Sequence, residues 1–161
     1  MNLISKSQKI FIAGGHGMVG KALIRKLNHF GYKNLLVPSR QELDLTNNQS
    51  VFKWYEKHRP EIVVLAAAKV GGIFANNAYP SDFLLSNLKI QNNVIEGAWQ
   101  NDVQRFLFLG SSCIYPKFSE QPIKEESLLK SSLESTNQWY AIAKISGLKL
   151  CQALRIQYGF D

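Results

Sequence analysis

The stretch Lys9-Ile10-Phe11-Ile12-Ala13-Gly14-Gly15-His16-Gly17-Met18-Val19-Gly20 decides how the chain folds. Lys9 to Ala13 is a short apolar run rich in β-formers, with no polar alternation, and reads as a strand buried on both faces. Glycines follow at 14, 17 and 20. Val19, Leu23, Leu27 and Phe30 then recur at helical spacing, with Gly31 placed as a C-terminal cap. A glycine triplet between a strand and an amphipathic helix predicts a dinucleotide-binding turn. Gly14 is expected to make the tight turn, Gly17 to admit a pyrophosphate close to the backbone, and Gly20 to let helix and sheet pack. The phosphates would lie on the first N–H groups of the helix. His16, inside the turn, is expected to face solvent or the ribose; no second ligand completes a metal site with it, and no metal is expected.

The same alternation continues outward. Asn34–Val37 reads as a second strand closed by Pro38, and a short extended piece is expected near Leu43. Thr46 or Asn47 can cap a helix carrying Val51, Phe52 and Tyr55, ended by Pro60. Ile62–Ala67 is a third apolar strand. Pro80 opens a long helix through Leu84, Leu88, Ile95 and Trp99. Arg105–Leu109 is the fourth strand, followed by an irregular stretch to about Thr136 and a last helix from Gln138 to Tyr158, with Gly159 at its end. Strands separated by helices imply an α/β fold with a doubly wound parallel sheet of Rossmann type. The chain stops after a helix, where such a sheet ordinarily adds a strand, so the expectation is the front part of a longer protein.

Composition excludes other classes. The 161 residues are 45% apolar and 19% charged, as in an ordinary soluble domain. No run approaches the roughly 20 apolar residues of a membrane span, and no membrane association is expected. The first residues lack the apolar core of a secretion signal. Cys113 and Cys151 form no metal or redox spacing, which predicts a reduced, cytoplasmic setting. Nineteen Lys and Arg against twelve Asp and Glu give a net charge of +7 that attracts anions. The basic residues are scattered, so small phosphate-bearing ligands are expected and nucleic acid is not.

Where the second strand ends, an NAD enzyme commonly carries an acid for the ribose hydroxyls. This chain reads Val37-Pro38-Ser39-Arg40 instead. The planar fork of Arg40, with Ser39 beside it, suits a 2′-phosphate and so favours NADP. Glu42 and Asp44 come late for the ribose, and Asp44 is expected nearer the adenine.

Tyr140 and Lys144 lie one helical turn apart, with Cβ atoms about 5–6 Å apart. A phenol that exchanges protons near neutral pH needs roughly 4 kcal/mol in favour of its anion. The Lys144 ammonium and a cationic nicotinamide ring are expected to supply it. Ser111, after the fourth strand, is placed where ligands of doubly wound folds bind and can hold a carbonyl oxygen. Cys113 reads either as an inert buried thiol or as a proton-transfer residue.

With these residues in view, the chain resembles the extended short-chain dehydrogenases/reductases, and among them the GDP-L-fucose synthase family. The resemblance runs over essentially the whole chain. Its distinctive stretches are residues 13–20, Ala66–Ile73, Tyr79–Phe83, Gly110–Pro116 and Tyr140–Lys144. It implies epimerisation of a GDP-4-keto-6-deoxy sugar at C3 and C5, then reduction at C4 with NADPH. It assigns Tyr140 as proton donor to C4, Lys144 to tune it and hold the nicotinamide ribose, Ser111 to orient the keto group, and Cys113 as the epimerisation base. It implies an NADP lining of Gly14, Gly15, His16, Gly17, Met18, Val19 and Gly20, of Arg40, Gln41, Glu42, Leu43, Asp44 and Leu45, and of Leu109, Gly110, Ser111, Ser112 and Lys144. Two departures stand out. His16 replaces an arginine common in relatives. The family's members are also far longer, and their later part brings an acidic histidine and most of the GDP-sugar pocket. Residues 1–161 are thus read as the NADP-binding Rossmann domain carrying the Ser/Tyr/Lys set, without the substrate domain. The helices Pro80–Asn101 and Gln138–Tyr158 are further expected to pair in a homodimer of the full-length protein. The alternatives are another sugar-nucleotide epimerase or reductase, or a non-catalytic NADP-binding module.

Overall fold

A computed structural model describes residues 4–161. Its strands are β1 (Ile10–Ala13), β2 (Leu35–Leu36), β3 (Ile62–Leu65) and β4 (Arg105–Phe108); its helices are α1 (Met18–His29), α2 (Asn48–His58), α3 (Ile73–Ala78), α4 (Pro80–Gln100) and α5 (Gln138–Tyr158). All strand pairs are parallel, in the order β2-β1-β3-β4. The chain moves from β1 outward to β2, then crosses back to β3 on the other side of β1. Right-handed crossovers in opposite directions put α1 on one face of the sheet and the later helices on the other. The fold is therefore the expected doubly wound α/β sheet of Rossmann type.

The unbroken apolar strands follow from burial on both faces. Ile10, Ile12 and Ile62 point toward Leu23, Ile24 and Leu27 of α1. Their neighbours Phe11, Ala13, Val63 and Leu65 point the other way, into a core with Val51 and Tyr55 of α2, Val94, Ile95 and Ala98 of α4, and Leu154 of α5. Each Val, Leu, Ile or Phe among them contributes about 1.5–3 kcal/mol on burial. Tyr55 donates its hydroxyl to the Val94 carbonyl at 3.0 Å, satisfying its one polar group. Asn47 caps α2 by accepting from the Ser50 amide at 2.9 Å.

Four local expectations change. On α1 the face packed on the sheet is Leu23, Ile24 and Leu27, half-buried, while Val19 in the first turn and Phe30 at the C-cap are exposed. The second strand pairs only over Leu35–Leu36. Leu43 forms no strand; it is buried in the core just after the turn at 40–42, its amide donating to the Ser39 carbonyl at 2.9 Å. On α4 the buried stripe is Phe83, Asn87, Gln91, Val94 and Ala98, leaving Leu84, Leu88 and Trp99 only half-buried. The short α3 has no counterpart in the sequence reading. Among the described residues, no helix is long and apolar enough to cross a membrane.

Candidate active site

Because the strand order reverses between β1 and β3, the crevice in which doubly wound sheets bind ligands is expected beyond their carboxyl ends. The glycine turn forms one wall. Gly14 has φ +89°, and a Cβ there would come within 2.6 Å of the Ala67 amide nitrogen. Only glycine satisfies both conditions. A Cβ on Gly20 would lie 2.3 Å from the Gly14 carbonyl oxygen, so Gly20 lets α1 begin flush against the turn itself. Gly17 is different: a Cβ there would meet only the Gly14 carbonyl, at 3.3 Å, and its outer side is open. Gly17 is also the N-cap of α1 without any side-chain cap, and no acid sits in the first turn. Uncapped helix N–H groups beside an open glycine are the donor set a pyrophosphate needs. Met18 and Val19 flank that opening as exposed apolar side chains, and His16 is exposed. Gly14→Ala should therefore melt several degrees lower, in thermal unfolding followed by circular dichroism. Unchanged melting would mean that the 66–67 loop yields.

Beyond β2, the Ser39 amide donates to Glu42 Oε2 at 2.7 Å, and the Glu42 amide donates back to Ser39 Oγ at 3.3 Å. The Ser39 amide and then the Ser39 hydroxyl, with His16 nearby, hold the Glu42 carboxyl below its ordinary range. Asp44 is committed to Thr46, accepting from its amide at 2.9 Å and its hydroxyl at 2.7 Å; these bonds, and then Arg40, lower its pKa. Arg40 and Gln41 are exposed. Among the described residues Arg40 enters no ion pair, leaving its fork open to an anion. Leu43 and Leu45 turn their side chains into the core, so they can line a ligand only through their backbone.

At the end of β4 the other candidates converge. Ser111 caps a 3-10 turn over Ser112–Ile114 and receives the Cys113 thiol at 3.1 Å on its hydroxyl. Lys144, 4% exposed, reaches from α5 to donate to the Leu109 carbonyl at 2.9 Å. Its ammonium lies 4.7 Å from the Phe108 ring centre and 5.9 Å from that of Tyr140. Gly110 and Ser112 are exposed at the mouth. Burial and then the adjacent Cys113 push Tyr140 above its ordinary pKa, against a hydrogen bond from Ser111 that pulls it down. Burial pushes Lys144 down, with Cys113 opposing. Ser111, Cys113, Tyr140 and Lys144 thus form one cluster. The protein by itself holds Tyr140 as a phenol, the reverse of the expected direction. The reason is the burial of Tyr140 itself, with Cys113 beside it; the Lys144 ammonium is given to the Leu109 carbonyl. Cys151 is remote from this chemistry: burial raises its thiol to about 11. Among the described residues, no cluster of His, Cys, Asp and Glu could hold a metal ion.

Residues 10–161 match the family described as NAD dependent epimerase/dehydratase. The chain belongs to that family. Within it, the chain is similar to GDP-L-fucose synthases. It is 56% identical over 160 residues to GDP-L-fucose synthase 1 of Arabidopsis thaliana, covering 99% of this chain and 50% of that protein. It is 52% identical over 154 residues to the GDP-L-fucose synthase of Escherichia coli K12, covering 96% of this chain and 48% of that protein. A solved GDP-mannoheptose C4 reductase from Campylobacter jejuni with NADP bound superposes with a TM-score of 0.95 at 41% identity, over 98% of this chain and 50% of that one. The chain spans about half the length of the curated relatives it matches.

Sequence reasoning missed two buried amides of this epimerase/dehydratase fold. Gln91 donates to the Ala143 carbonyl at 2.6 Å, tying α4 to the turn before Lys144. Asn87 brackets Lys69. Their signal was present as polar residues four apart in the stripe that begins at Phe83.

Proposed function

We propose that this chain forms the NADPH-binding half of an enzyme that epimerises GDP-4-keto-6-deoxy-D-mannose at C3 and C5 and reduces it at C4 to GDP-L-fucose. The observation that carries the reading is the cluster of Ser111, Cys113, Tyr140 and Lys144 at the same end of the sheet as the glycine turn. The similarity to GDP-L-fucose synthases supports the substrate. Residues 1–161 are read as one cofactor domain bearing the catalytic set, with the sugar pocket completed by the other half that its relatives carry.

NADPH, when bound, supplies the hydride. The glycine turn and the α1 N-terminus hold its pyrophosphate, and Arg40 its 2′-phosphate. The residues of Ser39 to Leu45 pass the adenosine end, and Leu109 to Ser112 the nicotinamide end. Ser111 hydrogen-bonds the sugar carbonyl; Tyr140, kept protonated by its surroundings, gives the proton to the C4 oxygen. Lys144 steadies the tyrosine and the ribose. Cys113, as its thiolate, takes the protons from C3 and C5, and an acid of the other half returns a proton to the opposite face of each carbon. The α4 and α5 helices, which pack side by side, form the homodimer contact in the full-length protein.

Two measurements test this reading. Mixed with NADPH and GDP-4-keto-6-deoxy-D-mannose, the chain should bind the cofactor saturably and oxidise it only slowly, since most of the sugar pocket is read as belonging to the other half that its relatives carry. No cofactor binding would overturn the proposal. Arg40→Asp should reverse the preference for NADPH over NADH, seen as a ratio of dissociation constants, because a charge-assisted fork becomes a repelling carboxylate. An unaltered ratio would make Arg40 a bystander.

A further inference from the structure

The second wall of the crevice is the segment after β3. Its last sheet-like bond is the Ala66 amide donating to the Ala13 carbonyl at 2.9 Å. From there to α3 the backbone has no strand to pair with, yet it runs against the glycine turn, with Ala67 in contact with the position of a Gly14 Cβ. Two buried asparagines stand in for the missing partners. Asn87, 2% exposed on α4, accepts from the Lys69 amide at 2.8 Å and donates to the Lys69 carbonyl at 3.0 Å, while holding the Phe83 carbonyl at 2.7 Å. One side-chain amide thus reads both polar groups of one residue, as a neighbouring strand would. Asn76 donates to the Gly71 and Gly72 carbonyls at 2.8 and 3.1 Å. Gly71 lies so close to Phe83 that a Cβ would meet its ring at 2.8 Å. By contrast the Lys69–Asp82 ion pair, 2.8 Å long, is open to water and contributes little.

We propose that Asn87 is a positioning residue of the dinucleotide site: by bracketing Lys69 it fixes the 66–72 wall at the spacing from the glycine turn that the cofactor requires. This rests on the proposed dinucleotide reading. Loops of this kind ordinarily move; here affinity is gained because the wall needs no ordering when the ligand arrives. The amide cannot be replaced by a carboxylate, which would set a negative charge against the Lys69 and Phe83 carbonyl oxygens. A protonated carboxyl, with one donor and one acceptor, can restore the bracket on Lys69, though not the bond to the Phe83 carbonyl as well.

The test is an NADP+ titration of the chain and of Asn87→Leu and Asn87→Asp between about pH 5 and pH 8, with hydrogen exchange at residues 68–72. Burial pushes an aspartate introduced there above its ordinary value near 4, toward this range. Asn87→Leu should bind roughly tenfold or more weakly at every pH, with faster exchange at Lys69. Asn87→Asp, divided by the parent affinity at each pH, should be weak at the top of the range and recover as pH falls. Affinity of Asn87→Leu equal to the parent, or a flat Asn87→Asp ratio, overturns the clamp. If Asn87→Leu fails to fold, the aspartate ratio alone decides. A parent chain that binds no NADP+ overturns the dinucleotide reading itself, and a bound parent with indifferent variants overturns only the inference.

Discussion

Tyr140→Phe should lower NADPH-dependent C4 reduction by about 10²–10⁴-fold, the usual worth of a placed proton donor, with little change in NADPH affinity. The assay suits a chimera in which this chain replaces the matching half of the Escherichia coli relative, 52% identical over the shared region. Phenylalanine keeps the ring that faces Lys144 and removes only the hydroxyl. Burial and Cys113 hold that hydroxyl protonated, so the resting site has the proton in place for the carbonyl oxygen. Ser111, pulling in the opposite direction, keeps the phenolate within reach once charge develops. Turnover unchanged by the substitution would remove Tyr140 from the chemistry. Loss of NADPH affinity in parallel would make it a binding residue instead.

The second large effect concerns the carbon acids. Cys113→Ala in the same chimera should stop exchange of solvent deuterium into C3 and C5, by about 10²-fold or more, while reduction of a sugar that needs no epimerisation continues. The thiol sits 3.1 Å from the Ser111 hydroxyl and beside Tyr140, close enough to serve the same sugar ring. Exchange that persists would leave Cys113 as packing beneath the serine turn. The two variants separate the half-reactions: one loses hydride transfer and keeps exchange, the other does the reverse.

How far the sequence carries this picture depends on the range over which each feature is determined. The strands were legible because β1 and β3 are apolar at every position, which only two-sided burial explains. The glycine turn was legible because Gly14 must adopt φ +89° against the Ala67 backbone, a local demand with a local residue. Tyr140 and Lys144 share a face of α5 by helical spacing alone. What escaped depends on distant partners. Asn87 and Gln91 look like polar interruptions of an apolar helix until the Lys69 peptide and the Ala143 carbonyl are beside them. Val19 and Phe30 fit the helical period yet face outward, since helix phase is set by Gly20 docking on the turn. The direction in which Tyr140 shifts also escaped, because it depends on how deeply the phenol itself is buried and on Cys113 lying beside it.

The proposed function requires the crevice between β1 and β3 to be an NADP site. Titration of the chain with NADPH and with NADH, followed by quenching of tryptophan fluorescence, tests this most directly. Saturable binding with NADPH at least about tenfold tighter, about 1.4 kcal/mol, is the predicted result; no binding of either, or equal affinity for both, would contradict it.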